Sequence, residues 1–270
     1  MKTSELIQDR RSVRTFDGKA VEHDKLHSIL EYANRAENPF GMPIGWKLLS
    51  TGSDGVSSPV IVGTDTFIAG KLKRQPHAEE AFGYSFEKMV LYAQSLGIGT
   101  TWIAGTMNRS VFEKAMELGA DEFMPCVSPL GYPAKKMSVR ETMMRAGVKA
   151  DTWLDFSSLL FDGLFDKPMT PEKAGELLLP LELVQLSPSA VNKQPWRIVV
   201  DNDKAHFYEK HSKGYTANGW DTQKIDIGIA LCHFICGLDE LNRHAGLIFS
   251  DPGLSCPPDT EYIVTCSITG

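Results

Sequence analysis

Three arginines and a serine stand together in Arg10-Arg11-Ser12-Val13-Arg14, directly after a short helical pattern. Guanidinium forks and a hydroxyl suit a phosphate monoester, because bidentate charge-assisted bonds match its oxygens in strength and geometry. A second constellation, Ser187-Pro188-Ser189-Ala190-Val191-Asn192-Lys193-Gln194-Pro195-Trp196, mixes small, hydroxyl and amide residues ahead of a strand. Such side chains offer donors and acceptors to the polar edge of a planar heterocycle or to a sugar-like chain. Each stretch also has a plain structural reading. The first is then a solvated basic patch, the second a helix-to-strand turn with Trp196 as core filler.

The two motifs lie in opposite halves of a chain that reads as duplicated, and a missed repeat miscalls a whole fold. Trp46 and Trp196 occupy similar surroundings 150 positions apart. Phe86, Met89, Val90, Ala93 and Leu96 form an apolar helical stripe. Leu231, Phe234, Ile235, Leu238 and Leu241 repeat it at an offset of 145, and Gly83 matches Gly228 at the same offset. Glu122-Phe123-Met124 leads to Ser128 and Gly131, as Glu261-Tyr262-Ile263 leads to Ser267 and Gly270, at an offset of 139. An offset that shrinks steadily in one order fits a second copy with short deletions.

The elements that must position the motifs alternate between helix and strand. Helices are expected over 3–10, 23–36, 83–96, 109–118 and 225–242, each on apolar periodicity. Thr170 with Pro171 starts another helix, running to about 186 with a bend at Pro180. Strands are expected over 47–50, 59–63, 123–131, 197–201, 205–209 and 261–269. Residues 1–131 make the first half and 170–270 the second. Residues 132–169 lack periodicity and read as an extended connecting arm.

Bulk properties bound the function. A chain of 270 residues with 42% hydrophobic and 23% charged residues is that of a soluble globular protein. A net charge of −6 without a long basic run argues against nucleic acid as partner. No apolar stretch suits a membrane span, and the start lacks a signal-peptide core. Five cysteines at irregular spacing give no disulfide framework, which points to a reducing cytoplasm. Cys232, His233 and Cys236 sit within one helical turn or so, but small buried residues explain them better than a metal, and no metal site is expected. His206 and His211 flank Tyr208 and read as packing or surface residues.

RRSVRTF and PSAVNKQPW resemble the flavin-binding signatures of the nitroreductase family, in an internally duplicated variant like the TM nitroreductases. Trp102-Ile103-Ala104-Gly105 after Leu96-Gly97-Ile98-Gly99 resembles that family's segment along the flavin ring. Leu130-Gly131-Tyr132-Pro133-Ala134-Lys135-Lys136 with Arg140 resembles its closing strand and basic tail. The resemblance implies an α+β fold of two pseudo-symmetric copies, each with a mostly antiparallel sheet flanked by helices. It further implies flavin mononucleotide (FMN) as bound cofactor, NADH or NADPH as a transient one, and a small-molecule electron acceptor.

The resemblance assigns roles residue by residue. Arg10, Arg11, Ser12, Arg14, Lys136 and Arg140 would hold the phosphate. Pro188, Ser189, Ala190, Asn192 and Gln194 would line the ring and ribityl side. A backbone N–H near Ala104 or Gly105 would face the ring nitrogen that accepts hydride. No residue is assigned as acid or base, because the chemistry is borne by the flavin.

Two departures are informative. Where the first copy should carry the serine-amide motif it reads Asn38-Pro39-Phe40-Gly41-Met42-Pro43-Ile44-Gly45-Trp46. Where the second should carry the arginines it reads Leu159-Leu160-Phe161-Asp162-Gly163. One site therefore keeps its parts and the other has lost them on both sides, which predicts one FMN per chain in a monomeric pseudo-dimer. Phe40, Met42 and Phe161 are expected to fill the degenerate crevice, so that Phe161→Ala would cost about 3–5 kcal/mol. A flavin-storage protein and a specialised flavin enzyme, such as a reductive dehalogenase, use the same binding residues and stay open as alternatives.

Overall fold

The computed structural model describes every residue except Asn218. Its helices are α1 (Thr3–Asp9), α2 (His23–Arg35), α3 (Thr51–Asp54), α4 (Ala78–Ser95), α5 (Arg109–Ala115), α6 (Val139–Gly147), α7 (Phe156–Leu159), α8 (Pro171–Ala174), α9 (Leu178–Gln185) and α10 (Thr222–Glu240). Its strands are β1 (Gly45–Ser50), β2 (Thr66–Lys73), β3 (Glu122–Phe123), β4 (Val127–Leu130), β5 (Leu160–Asp162), β6 (Trp196–Asp201), β7 (Lys204–Lys210), β8 (Thr216–Ala217), β9 (Trp220–Asp221), β10 (His244–Ile248) and β11 (Thr260–Thr269). No helix among the described residues is long and apolar enough to cross a membrane.

The chain divides into two compact units. The first comprises Asp9–Ala78 and Ser85–Ala150; the second comprises Met1–Gln8, Glu79–Tyr84 and Asp151–Gly270. The segment 132–169 is thus shared between them, changing unit at Asp151.

In the first unit, β2 is the central strand. It pairs antiparallel with β1 along its length, with β4 over Thr66–Ala69 and with β3 over Leu72–Lys73. Leu49, Phe67, Phe112, Met116 and Val127 pack beneath it as one apolar cluster. The second unit carries a five-stranded sheet in the order β10-β11-β7-β6-β5, antiparallel except where β5 runs parallel to β6. Trp196, Tyr208, Phe207 and Phe234 are fully buried in its core. Within the same unit, the first turns of α4 cross α10 at Gly83 and Gly228, where neither position has room for a side chain.

Several expectations need correction. Residues 59–63 are not a strand; only Val62 bridges to Thr15, and the strand lies at Thr66–Lys73 instead. Pro59 removes a ladder donor and Gly63 turns at φ 85°, so the apolar run breaks before it can pair. Residues 123–131 form two strands rather than one, interrupted by Met124-Pro125-Cys126. The bend near Pro180 falls earlier, at Gly175, whose φ of 55° and ψ of −126° stop the helix after one turn. Pro180 sits in the first turn of α9, where its missing N–H costs nothing. Residues 139–147, part of the supposed arm, are helical, capped by the Ser138 side chain accepting from the Glu141 N–H. That Ser-x-x-Glu spacing is a helix start signal in its own right.

Candidate functional site

The first unit gathers three of the segments singled out in the sequence. Val13 N–H donates to the Thr100 carbonyl (2.8 Å), Gly99 N–H to the Gly131 carbonyl (2.8 Å) and Ala134 N–H to the Thr15 carbonyl (3.0 Å). The arginine motif, the 101–105 segment and the 131–136 segment are therefore stitched together through main-chain bonds. A side chain at Gly131 would collide with the Phe16 ring at 2.6 Å, which explains the glycine there.

The arginines are held by carboxylates that sequence reasoning missed. Arg10 Nε lies 3.7 Å from Oε1 of Glu87, a fully buried side chain on α4. Glu87 Oε2 also accepts from the Trp102 indole N–H at 3.2 Å, so one carboxylate ties the arginine motif to the 101–105 segment. Arg11 lies 3.9 Å from Oε1 of Glu141, which is 1% exposed. Burial pushes the Arg10 and Arg14 guanidinium pKa values down, Glu87 and Glu141 respectively oppose that, and Arg145 adds to it. Three arginines thus face two carboxylates, and Arg145 lies near enough to repel Arg10 and Arg14. Arg10 Nε and Arg11 Nη1 are buried and find no hydrogen-bond acceptor. A signal for Glu87 existed: an acid inside an apolar helical stripe is out of place unless paired.

The 101–105 segment is shaped by another missed residue. Arg109 donates to the carbonyls of Ala104 (2.8 Å), Met124 (2.7 Å) and Pro125 (2.8 Å). With its carbonyl so held, Ala104 is half-buried and Gly105 exposed. Of the basic tail, Lys136 is exposed, and Arg140 donates to the Pro59 carbonyl from an exposed position.

In the second unit, 188–196 is a strained loop. Val191, Asn192 and Gln194 all have positive φ (49°, 57° and 51°), unfavourable above all for a β-branched residue. Polar anchors hold it there. The Ala190 N–H donates to both carboxylate oxygens of Asp226 on α10 at 3.1 Å, and Gln194 N–H to Ser189 Oγ at 2.9 Å. Gln194 Oε1 accepts from Leu154 N–H at 2.9 Å, and the Asn192 amide donates to the Thr152 carbonyl at 2.8 Å. Burial, offset in part by the Ala190 N–H, raises the Asp226 pKa well above the usual carboxylate range. Ser187 Oγ lies 3.0 Å from Nδ1 of His233, a buried histidine also 2.9 Å from the Leu183 carbonyl. Pro188, Ser189, Ala190 and Asn192 remain half-buried.

The degenerate motif of the first unit, 38–46, is a loop braced by its own polar groups. Phe40 and Met42 are half-buried, and residues 33–38, 41–44, Trp46 and Ser85 line a cavity of about 510 Å³. Asn38 organises this loop: its Oδ1 accepts from Phe40 and Met42 N–H, and its Nδ2 donates to the Met42 carbonyl (2.7 Å) and Ser85 Oγ (3.1 Å). A loop that satisfies its own polar groups does not need to collapse. In the second unit Phe161 is likewise only half-buried, its ring tilted by 54° to that of Phe165 with centroids 5.2 Å apart.

Over its whole length the chain is similar to the crystal structure of a "putative nitroreductase" from Thermotoga maritima MSB8, at 20% identity and a TM-score of 0.66, covering 100% of this chain and 94% of that one. That likeness defines the class: an α+β protein of the nitroreductase fold. The chain belongs to the nitroreductase family described as "Putative TM nitroreductase", whose model matches residues 2–238. Other solved structures align with part of the chain. A nitroreductase family protein of Clostridium novyi NT is 22% identical, covering 50% of this chain and 87% of its own, with a TM-score of 0.42. An FMN-dependent nitroreductase of Clostridium difficile R20291 is 17% identical, covering 52% and 94%, with a TM-score of 0.40. No curated protein matches the chain.

Proposed function

We propose that the chain is an FMN-dependent oxidoreductase of the nitroreductase type, carrying one FMN and passing hydride from NADH or NADPH to a small-molecule electron acceptor. The observation that carries this reading is the gathering of Arg10, Arg11 and Arg14 in the first unit around Glu87 and Glu141, with two buried guanidinium nitrogens, Arg10 Nε and Arg11 Nη1, lacking acceptors. Clustered guanidinium groups with unused donors suit a phosphate monoester, which is nearly a dianion at neutral pH. The residues therefore fit the group.

FMN, when bound, would supply the hydride chemistry. Arg10, Arg11, Ser12 and Arg14, with Lys136 and Arg140, would bind its phosphate. The loop held by Asp226 would present Pro188, Ser189, Ala190 and Asn192, with Gln194 bracing it. Arg109, by holding the Ala104 carbonyl, would orient the Ala104–Gly105 N–H groups. Internal duplication is part of the reading, supported by the crossing of the paired glycines Gly83 and Gly228. The half-exposed Phe40, Met42 and Phe161 do not substitute for polar ligands, which supports one site per chain.

The test is anaerobic addition of NADH and of NADPH to the flavin-loaded protein, with flavin and chain quantified separately. One flavin per chain, bleached by at least one donor, is the expected result. Two flavins per chain would refute the single site. Bound flavin that neither donor bleaches would favour the storage alternative.

A further inference from the structure

A second cluster of ligating side chains lies in the second unit, apart from the residues assigned to flavin. Glu209 stands near the end of β7, His211 just after it, and Asp221 ends β9 and caps α10. Each offers a ligand atom, and the three atoms lie within 4.8 Å of one another. The Glu209 side chain is wholly buried, and neither of its carboxylate oxygens accepts a hydrogen bond. It points at His211, whose Nδ1 is 2.7 Å from Glu209 Oε1. A wholly buried carboxylate is expensive unless it is paired, protonated or bound to a cation.

The far side of the imidazole is arranged as metal-binding histidines require. His211 Nε2 lies 2.9 Å from Oε2 of Glu261, and Lys224 Nζ lies 3.3 Å from the other oxygen of the same carboxylate. The imidazole thus lies between two carboxylates; with a metal on Nδ1 in place of a proton, Glu261 would accept from the N–H at Nε2 and orient the ring. Asp221 is oriented by the Gln223 N–H on Oδ1 (2.8 Å) and by Thr216 Oγ1 on Oδ2 (3.2 Å).

We propose that Glu209, His211 and Asp221 form a site for one divalent transition-metal ion of the zinc class, with Glu261 as the positioning residue for His211. One imidazole and two carboxylates suit zinc or manganese. Tetrahedral ligation at about 2.0–2.2 Å leaves a fourth position for water. Bound there, the ion would tie the end of β7 to the start of α10, the helix whose Asp226 anchors the 188–196 loop.

The experiment is calorimetric titration of zinc into the 270-residue chain, stripped with chelator and carrying Cys256→Ser to remove an exposed competing thiol. One saturable zinc per chain is expected. His211→Ala and Glu209→Gln should abolish that binding, and Glu261→Gln should weaken it by roughly 10–100-fold. Circular dichroism checks that each variant is folded. His211 is 39% exposed, so its truncation tests the site even if the buried Glu209 variant does not fold. No saturable one-to-one binding in the parent, or unchanged binding in folded His211→Ala, overturns the site. Undiminished affinity in Glu261→Gln overturns its positioning role.

Discussion

Gly83 and Gly228 meet reciprocally. A Cβ on Gly83 would fall 2.1 Å from the Ile225 carbonyl oxygen, and one on Gly228 would fall 2.1 Å from that of Glu80. Glu80 and Ile225 are separated by the same 145 positions as the two glycines. Both contacts are main chain against main chain, so neither position admits a side chain unless the backbone moves.

Gly83→Ala and Gly228→Ala should each destabilise the protein, because a rigid backbone carbonyl cannot yield as a side chain would. The expected cost is at the upper end of about 1–3 kcal/mol for overpacking. Gly147→Ala, with nothing within 4 Å of the new carbon, serves as the control and should change little. Denaturant unfolding measures all three.

Arg14→Gln should weaken FMN binding by about 1.5–3 kcal/mol, the range for a hydrogen bond to a charged group. Fluorescence titration of the apoprotein reads this directly. Unchanged affinity would remove Arg14 from the phosphate site.

Asp226 separates loop positioning from charge. Asp226→Ala leaves the Ala190 N–H without its acceptor and releases a loop with three positive-φ residues, so FMN affinity should fall. Asp226→Asn keeps an acceptor and removes a carboxylate whose charged form burial disfavours. It should retain FMN and raise stability at neutral pH. A loss of FMN binding equal to that of the alanine variant would contradict the positioning role.

His206 should make stability fall with acidification. It is buried on β7, 2.7 Å from Thr265 Oγ1, and burial lowers its pKa below 6.5. The unfolded chain then binds the proton more readily than the folded one. Its contribution is fully present above the unfolded value and is lost as pH drops through the folded value. His206→Gln should flatten the fall in stability as the pH drops below 6.5.

Phe161→Ala should cost less than the roughly 3–5 kcal/mol of a fully buried aromatic, since its ring is half-exposed. Phe207→Ala, fully buried in the same sheet, should reach that range. Equal losses would mean that Phe161 is buried in solution.

The periodic helices were legible because apolar spacing depends only on local geometry, and α2, α4 and α10 lie within a few residues of their expected bounds. The arginine and serine-amide motifs could be singled out for a similar reason, since they are runs of contiguous residue types, and the flavin role proposed for them awaits the binding measurements above. The strand at Thr66–Lys73 was not, because its pairing with β1 and β4 is a long-range choice that outweighs the apolar run before it. Nor were Glu87, Glu141, Arg109 and Asp226, whose partners lie 15 to 130 positions away for all but the local bonds of Arg109. A buried charge is stable only where folding delivers its counter-charge or donor, so sequence determined which segments offer ligating side chains, and tertiary structure alone decided what holds them in place.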